Sequence, residues 1–440
     1  MAHTAHKNPK KEKFEAPEVI NRKAKALAEL IRRSEHFVVF TGAGISTSAG
    51  IPDFRGPEGV WTLMAQGRQA TKKSVDTLQA IPTQTHMALV ELQERGILKG
   101  LISQNCDGLH RRSGIRADMI SELHGNTNIE HCKQCGKEFL RDFYAVALDN
   151  RPLHDHRTGR KCPICITQPL HDTIIHFSED LPLAPWTRAE ANCEKADLCL
   201  VLGSSLTVTP ANELPQLVGE RAAAQKKSRG NQDANTNLVI CNLQDTDLDY
   251  LCLNPDHRIF AKADDLMQQV MHYLQLPIPE FHVRQRLIVE TDVDADPAGG
   301  RHTVTVKGVD EDNTTPASFL RTVKLVTARG RPRMVKTEPF VLGWRGMLGE
   351  LEEEALQSNA SDWEHKDAVM SVSEVLTLGL EFMGNYGEPS YELQHTVQAS
   401  LPQCGAAAQG PRMVTRTAYN LIYNPQNGEW TVNLHSSSRN

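Results

Sequence analysis

Residues 37–61 read FVVFTGAGISTSAGIPDFRGPEGVW, and the change of character within this stretch sets the fold. Phe37-Val38-Val39-Phe40 is apolar, β-branched and aromatic, and too short for a buried helix, so it reads as an interior parallel strand. It breaks into Thr41-Gly42-Ala43-Gly44. Glycine lets the chain turn sharply and leaves no Cβ between backbone amides and a bound phosphate. A strand that ends in G-x-G is half of a dinucleotide fingerprint. The third glycine is missing, because Thr47 stands there, and Asp53 comes too early to be the usual ribose-binding acid. G-x-G alone is therefore a weak signal. The next segment, Gly50-Ile51-Pro52-Asp53-Phe54-Arg55-Gly56, is more specific: it sets an acid, an aromatic and a base side by side in a loop.

Around this stretch the chain repeats the same design. Leu98–Ser103 closes on Gln104-Asn105-Cys106-Asp107-Gly108. Leu198–Leu202 ends on Gly203-Ser204-Ser205, and Leu238–Cys241 on Asn242-Leu243-Gln244. Four buried strands thus finish in small or polar residues that can bond a ligand. Ligands of open parallel sheets sit beyond the carboxyl ends of the strands, so this regularity predicts one large nucleotide site. Helices are predicted over 19–33, with Ile20, Ala24, Leu27, Leu30 and Ile31 on one face, over 82–96 with Thr83 or Thr85 as cap, and over 264–276. Residues 221–237 are polar and are expected to form a surface loop.

At 440 residues two or three domains are expected, and a formal net charge of -6 argues against a generally basic nucleic-acid binder. No run of 18 apolar residues is present, so no membrane partner is expected, and the polar N-terminus does not suggest secretion. Residues 1–18, with Lys7, Lys10, Lys11 and Lys13, read as a flexible basic tail or as a nucleic-acid-touching arm. Beyond Pro279 runs such as HTVTVKGV and EWTVNLH alternate with period two, and Asn424–Gly428 between two such runs reads as a hairpin turn. Residues 281–440 are expected to be a mainly β module, with Arg329, Arg331, Arg333 and Lys336 as either a solvated loop or a nuclear-localisation or nucleic-acid contact.

Of ten cysteines, four form Cys132-x-x-Cys135 and Cys162-x-x-Cys165. Two such turns present four thiolates to one point, which is a closed tetrahedral zinc site with no open position. One structural zinc ion is expected. His131, His154, His156 and His171 nearby are expected to be solvent residues.

GAGIS followed by GIPDFR, with the SQNCDGLH and ELHGN segments, resembles the sirtuins, the NAD-dependent protein deacylases, over roughly residues 19–280. The resemblance implies a Rossmann-like parallel sheet with the four-cysteine ribbon inserted at about 127–178. It implies NAD as cosubstrate, acyl-lysine proteins as substrates, and nicotinamide and O-acyl-ADP-ribose as products. His124 would be the general base, and Asn105 and Asp107 would grip the nicotinamide carboxamide. Cofactor contacts would come from Gly42, Ala43, Gly44, Ile45, Thr47, Asp53, Phe54, Arg55, Trp61, Gln104, Gly203, Ser204, Ser205, Asn242, Gln244 and Ala263. The peptide would enter as an added strand between His176–Glu179 and Leu206–Val208. Two departures from the family pattern stand out. Ser178 replaces a glycine, which is strained if φ there is positive, and Ile166 replaces the glycine after the second cysteine pair, which is expected to alter the knuckle turn. The segments GPEGVWT, ISELHGN and LHDTIIHF favour the nuclear branch of the family. That branch implies nuclear or nucleolar residence, histone substrates and a possible nucleosome contact. The competing readings are a mono-ADP-ribosyltransferase on the same NAD site and a chromatin scaffold with weak catalysis.

Overall fold

A computed structural model of the chain describes residues 10–70, 73–146, 152, 154–229, 236–293, 302–310, 312–327, 331–344, 370–401 and 412–435. Lys7, Arg329 and Cys404 lie outside the described residues. The chain forms two compact units, one of residues up to Glu138 together with Phe143–Phe281, the other of Phe139–Asp142 together with His282 onward.

The first unit is built on a six-stranded sheet. The four apolar runs form strands Phe37–Thr41, Leu98–Ser103, Leu198–Leu202 and Asn237–Cys241. Two short strands, Ile120–Glu122 and Arg258–Ile259, complete its edges. All neighbours pair in parallel. Taken across the sheet, the strands run sixth, fifth, fourth, first, second, third in chain order. The order reverses between the first and fourth strands, and in a doubly wound sheet that switch point is where a ligand crevice opens.

Alternation along the first strand feeds two cores. Phe37 and Val39 pack with Leu27, Ile31, Leu89, Leu92, Met267 and Val270, from helices Pro17–Arg33, Gln84–Glu94 and Ala263–Leu274. Val38 and Phe40 pack on the other face with Ala189, Cys193, Leu214 and Val218, from helices Leu183–Lys195 and Glu213–Arg229. The last of these corrects the expected loop over 221–237 as far as Arg229, while residues 230–235 lie outside the described residues. The helix is anchored by Leu214, Val218 and Ala222 within its first three turns. Its second half is helical without a continued apolar stripe, and so it reads as a loop in the sequence. The Gln84–Glu94 helix carries its predicted cap: Thr83 accepts from the His86 amide, and His86 reaches back to the Thr83 amide. No helix among the described residues is long and apolar enough to cross a membrane.

A small antiparallel sheet between the third and fourth strands of the large one contains Ile129–Cys132, Arg157–Lys161 and Pro169–Asp172. This is the ribbon that carries the four cysteines.

The second unit is a β-sandwich. A five-stranded sheet contains Val283–Val293, His302–Val309, Phe340–Trp344, Met413–Asn424 and Glu429–Leu434. A four-stranded sheet contains Leu320–Val326, Arg333–Val335, Met370–Phe382 and Tyr391–Leu401. Leu287, Val304, Leu342 and Leu421 of the first meet Val323, Leu325, Leu378 and Leu393 of the second in one core. The expected hairpin joins Met413–Asn424 to Glu429–Leu434 in antiparallel register. Arg141 and Asp142 are tied into this unit: Arg141 Nη1 donates to Ser318 Oγ at 3.1 Å, and Asn385 Nδ2 donates to the Asp142 carbonyl at 2.8 Å.

Candidate active site

The glycine turns are explained first by each other. Gly44 N donates to Gly203 O at 2.9 Å, and Gly42 N to Leu202 O at 3.0 Å. A Cβ on Gly42 would lie 2.7 Å from Gly203 O, and one on Gly44 2.7 Å from the Gly203 Cα. The turns after the first and fourth strands therefore touch backbone to backbone at the switch point, which no other residue allows.

A cavity of about 320 Å³ opens there. Its wall gathers Gly42, Ala43, Gly44, Asp53, Phe54, Arg55, Trp61, Gln104, Asn105, His124, Gly203, Ser204, Ser205, Asn242 and Gln244. These come from five different strand ends, from the loop after Gly50 and, for Trp61, from the first turn of helix Val60–Gln66. Ile45, Thr47, Asp107 and Ala263 are not on this wall. Ile45 and Ala263 are buried in the core, and Thr47 is exposed with its hydroxyl donated to Gly44 O. Asp107 stands behind the wall. It accepts from Ser46 Oγ at 2.7 Å and from the Leu109 amide at 2.9 Å, so it fastens the glycine turn to the start of the next helix. Asn105 Nδ2 donates to Gly42 O at 3.1 Å, which fixes its amide.

His124 is placed by a crowded backbone. Gly125 has φ +79, and a Cβ there would fall 1.8 Å from Thr173 O, so the ribbon's return strand presses on the turn just after the histidine. The Ile175 amide donates to His124 O at 3.1 Å. His124 Nδ1 lies 3.0 Å from the Gln104 carbonyl. A carbonyl only accepts, so Nδ1 carries the proton and Nε2 holds a lone pair, the form a general base needs. Burial depresses the imidazole below its ordinary value, Gln104 opposes that, and the Arg55 cation adds to it. His86 and His110, by contrast, are buried, are pushed down to about 3, chiefly by burial, and lie off the wall.

At the mouth, Phe54, Trp61 and Phe177 form a row, with ring centroids 4.8 and 5.7 Å apart, and Arg55 lies 4.5 Å over the Trp61 ring. Burial pushes the Asp53 carboxyl up and the Arg55 guanidinium down, while each opposes the other's shift. The sequence reading missed Cys106, Ile175, Leu181, Thr209 and Pro210 on this wall. Cys106 and Ile175 lie inside the SQNCDGLH and LHDTIIHF segments, but neither side chain carries a charge to mark it as a wall residue, and Leu181, Thr209 and Pro210 lie outside the quoted motifs. The Cys106 thiol, pushed up to about 12 by burial, is inert.

Residues 10–13, expected to be tail, run along the segment that follows the strand Asn237–Cys241. Gln244 Nε2 donates to Lys10 O at 2.6 Å, and the Lys13 amide to Leu243 O at 2.8 Å. Their side chains pair with Asp247 and Asp245. On the helix that follows, Arg22 pairs with Asp256, Lys23 with Glu15, and Arg32 with Glu29.

The four cysteine sulfurs lie within 4.8 Å of one another, with Cys132–Cys165 at 3.9 Å and Cys135–Cys162 at 3.8 Å. A tetrahedron with Zn–S bonds of about 2.3 Å has edges of about 3.8 Å, so the sulfurs fit zinc. At the knuckle the Ile166 amide donates to Cys162 O at 2.8 Å, and its φ is +63, so a β-branched residue occupies the left-handed region. Ile166 is 73% exposed and buries little there. Ile166→Gly is therefore expected to stabilise the zinc-loaded protein by about 1 kcal/mol, read as a higher urea midpoint. A lower midpoint would show that the side chain's packing outweighs its backbone strain. Ser178 has φ +74, the positive value that makes serine strained at that position.

A family model described as the Sir2 family matches residues 68–210. Among curated proteins, the NAD-dependent protein deacetylase SRT1 of Arabidopsis thaliana is 43% identical over 270 residues, covering 61% of this chain and 52% of that protein. The NAD-dependent protein deacetylase sirtuin-7 of Mus musculus is 42% identical over 282 residues, covering 63% and 65%. The NAD-dependent protein deacetylase Sirt6 of Drosophila melanogaster is 38% identical over 276 residues, covering 61% and 81%. The chain thus spans about half of the first relative's length and just under two thirds of the second's.

Proposed function

We propose, because this chain belongs to the Sir2 family, that it is an NAD-dependent protein-lysine deacylase that releases nicotinamide and O-acyl-ADP-ribose. The observation that carries this reading is the placement of a neutral, tautomer-fixed His124 in one cavity with Asn105, Arg55 and two glycine turns at the sheet's switch point. NAD would supply the ribose that accepts the acyl group. Gly42, Gly44, Gly203 and Ser205 would hold its central part, Asn242 and Gln244 the adenosine, and Asn105 the nicotinamide amide, with Asp107 fastening the wall behind. His124 Nε2 would take a ribose hydroxyl proton. Phe54, Trp61 and Phe177 would keep water from the reacting carbon. Mass spectrometry of products from NAD and acetyl-lysine peptides tests the reading. Free lysine peptide with O-acetyl-ADP-ribose supports it, whereas ADP-ribose left covalently on protein moves it to a mono-ADP-ribosyltransferase.

The resemblance to the nuclear branch supports a further reading as a nuclear enzyme of histone lysines. The catalytic part would extend over residues 19–280, and residues 281–440 would form a separate β module. Among the described N-terminal basic residues, a contact with nucleosomal phosphate would fall first to Lys11, Lys25 and Arg33, which are exposed, since Lys10, Lys13, Arg22, Lys23 and Arg32 are engaged by acids. Changing these three to Gln should weaken nucleosome binding and lower its salt slope by up to ~0.9 for each phosphate no longer neutralised. Turnover of a short peptide should stay unchanged. Equal loss on both substrates would point to misfolding, and unchanged nucleosome binding would remove these three side chains as the phosphate-binding groups.

A further inference from the structure

The ring of His156 lies between two carboxylates. Nδ1 is 2.9 Å from Asp172 Oδ1, and Nε2 is 2.9 Å from Glu179 Oε1. Ionised carboxylates only accept, and a neutral imidazole has one N–H to give. Making both hydrogen bonds at once requires the imidazolium, so this geometry fixes a charge on His156.

Glu179 holds backbone that lines the cavity, and Asp172 holds the backbone one residue before it. Asp172 Oδ1 accepts from the Ile174 amide at 3.1 Å, and the next amide, Ile175, is the one bonded to His124 O. Glu179 Oε2 accepts from the His176 amide at 2.7 Å, and Oε1 also accepts from His154 Nδ1 at 2.8 Å. Glu179 therefore closes the turn that keeps Ser178 at positive φ and sets Phe177 against Trp61. Ile175 through Glu179 all line the cavity. His156 itself is off that wall.

On the reading that this cavity takes NAD and an acyl-lysine peptide, we infer that His156, as an imidazolium, is a positioning residue that holds segment 174–179 in its peptide-receiving form and releases it on deprotonation. The groups that face His156 are Asp172 on the neighbouring ribbon strand and Glu179 after it, which favour its charge. The His176 ring stacks on it at 5.5 Å, and His154 and His171 lie nearby. Burial by itself would depress the imidazole, but the hydrogen bonds it donates to Glu179 and Asp172, with their negative charges, outweigh it and hold it above its ordinary value. Burial likewise raises the Glu179 carboxyl, and its three donors overcome that and bring it to about 2. Glu179 thus stays ionised across the working range, and His156 is the member of the pair that titrates. Its folded-state value is raised, so the clamp is complete below the ordinary imidazole range. It is lost as pH rises through the raised value.

The test uses the full zinc-loaded chain. Long-range nitrogen-15 NMR should find both His156 nitrogens protonated at neutral pH, and a neutral single tautomer there would overturn the clamp. The Kd of a fluorescein-labelled acetyl-lysine peptide, read by anisotropy, should rise on the order of tenfold as His156 deprotonates. His156→Asn should bind weakly at every pH and lose that dependence, with kcat at saturating peptide little changed. A variant that keeps the wild-type pH profile would overturn the assignment. A fluorine label on Trp61 separates this idea from the proposed activity. If no NAD-dependent product forms but the label shifts with His156 titration, the clamp stands and the activity fails. If product forms and the label does not respond, the clamp fails.

Discussion

Replacing His124 with Tyr is expected to cut O-acyl-ADP-ribose formation by ~10²–10⁴-fold, the usual cost of losing a general base. The argument rests on which nitrogen is free. The Gln104 carbonyl takes the Nδ1 proton, which leaves Nε2 as an acceptor on a ring that lines the cavity. A phenol keeps a flat ring but ionises near pH 10 and is no base at neutrality. NAD binding should weaken far less, because the glycine turns, Ser205, Asn242 and Gln244 are untouched. Nicotinamide exchange, which precedes the base's step, should survive better than product formation. Asn105→Ala should instead lose exchange and turnover together, since Asn105 is braced against Gly42 O on the same wall. The pH dependence has a definite sign. Burial holds His124 below the ordinary imidazole value, so it stays neutral at pH 7. The base limb of kcat should therefore fall only at pH below that ordinary value. A His124→Tyr enzyme that makes product at near the wild-type rate would remove the residue as the base.

The parts of this molecule that were legible in the sequence are those where one local cause acts. Phe37–Phe40 and Leu198–Leu202 are apolar throughout because both faces of a parallel strand are covered. The Cys pairs are legible because metal geometry dictates their spacing. Helix Glu213–Arg229 was not, because packing of a few residues holds a segment whose later sequence is polar. The strands Ile120–Glu122 and Arg258–Ile259 are too short to carry a period. The histidines of the ribbon were expected in solvent, yet His156 bridges Asp172 and Glu179, and the Nδ1 atoms of His131 and His171 are buried. The two bonds of His156 span 16 and 23 positions and depend on how the ribbon returns to the sheet, which no local pattern encodes. Asp107 is read from its motif as a grip on the ligand; its side chain also accepts from Ser46 Oγ, a bond that spans 61 positions and that no local pattern encodes.

Cys162→Ser is expected to yield insoluble or zinc-free protein with little turnover, although no cavity-lining group is changed. Structural zinc contributes folding free energy on the order of 10 kcal/mol, and a site with three thiolates forfeits a large part of it. The ribbon has little else to draw on. The strands Ile129–Cys132, Arg157–Lys161 and Pro169–Asp172 are four or five residues long, and the ion pair of partly exposed Arg160 with buried Glu130, at 2.7 Å, contributes little net stability because burying the Glu130 carboxylate offsets the attraction. The consequence reaches the active site by a traceable route. The return strand Pro169–Asp172 follows Cys165 after the short turn 166–168 and carries Asp172. It leads into the Thr173 carbonyl packed under Gly125 and into the Ile175 amide bonded to His124 O. Loss of the metal should therefore release the turn that sets His124 and the 174–179 segment together, so that peptide binding falls along with turnover. Zinc content by elemental analysis, circular dichroism and product formation, measured on one preparation, check the chain of cause. A soluble, zinc-free variant with full turnover would show that the ribbon holds its shape without metal.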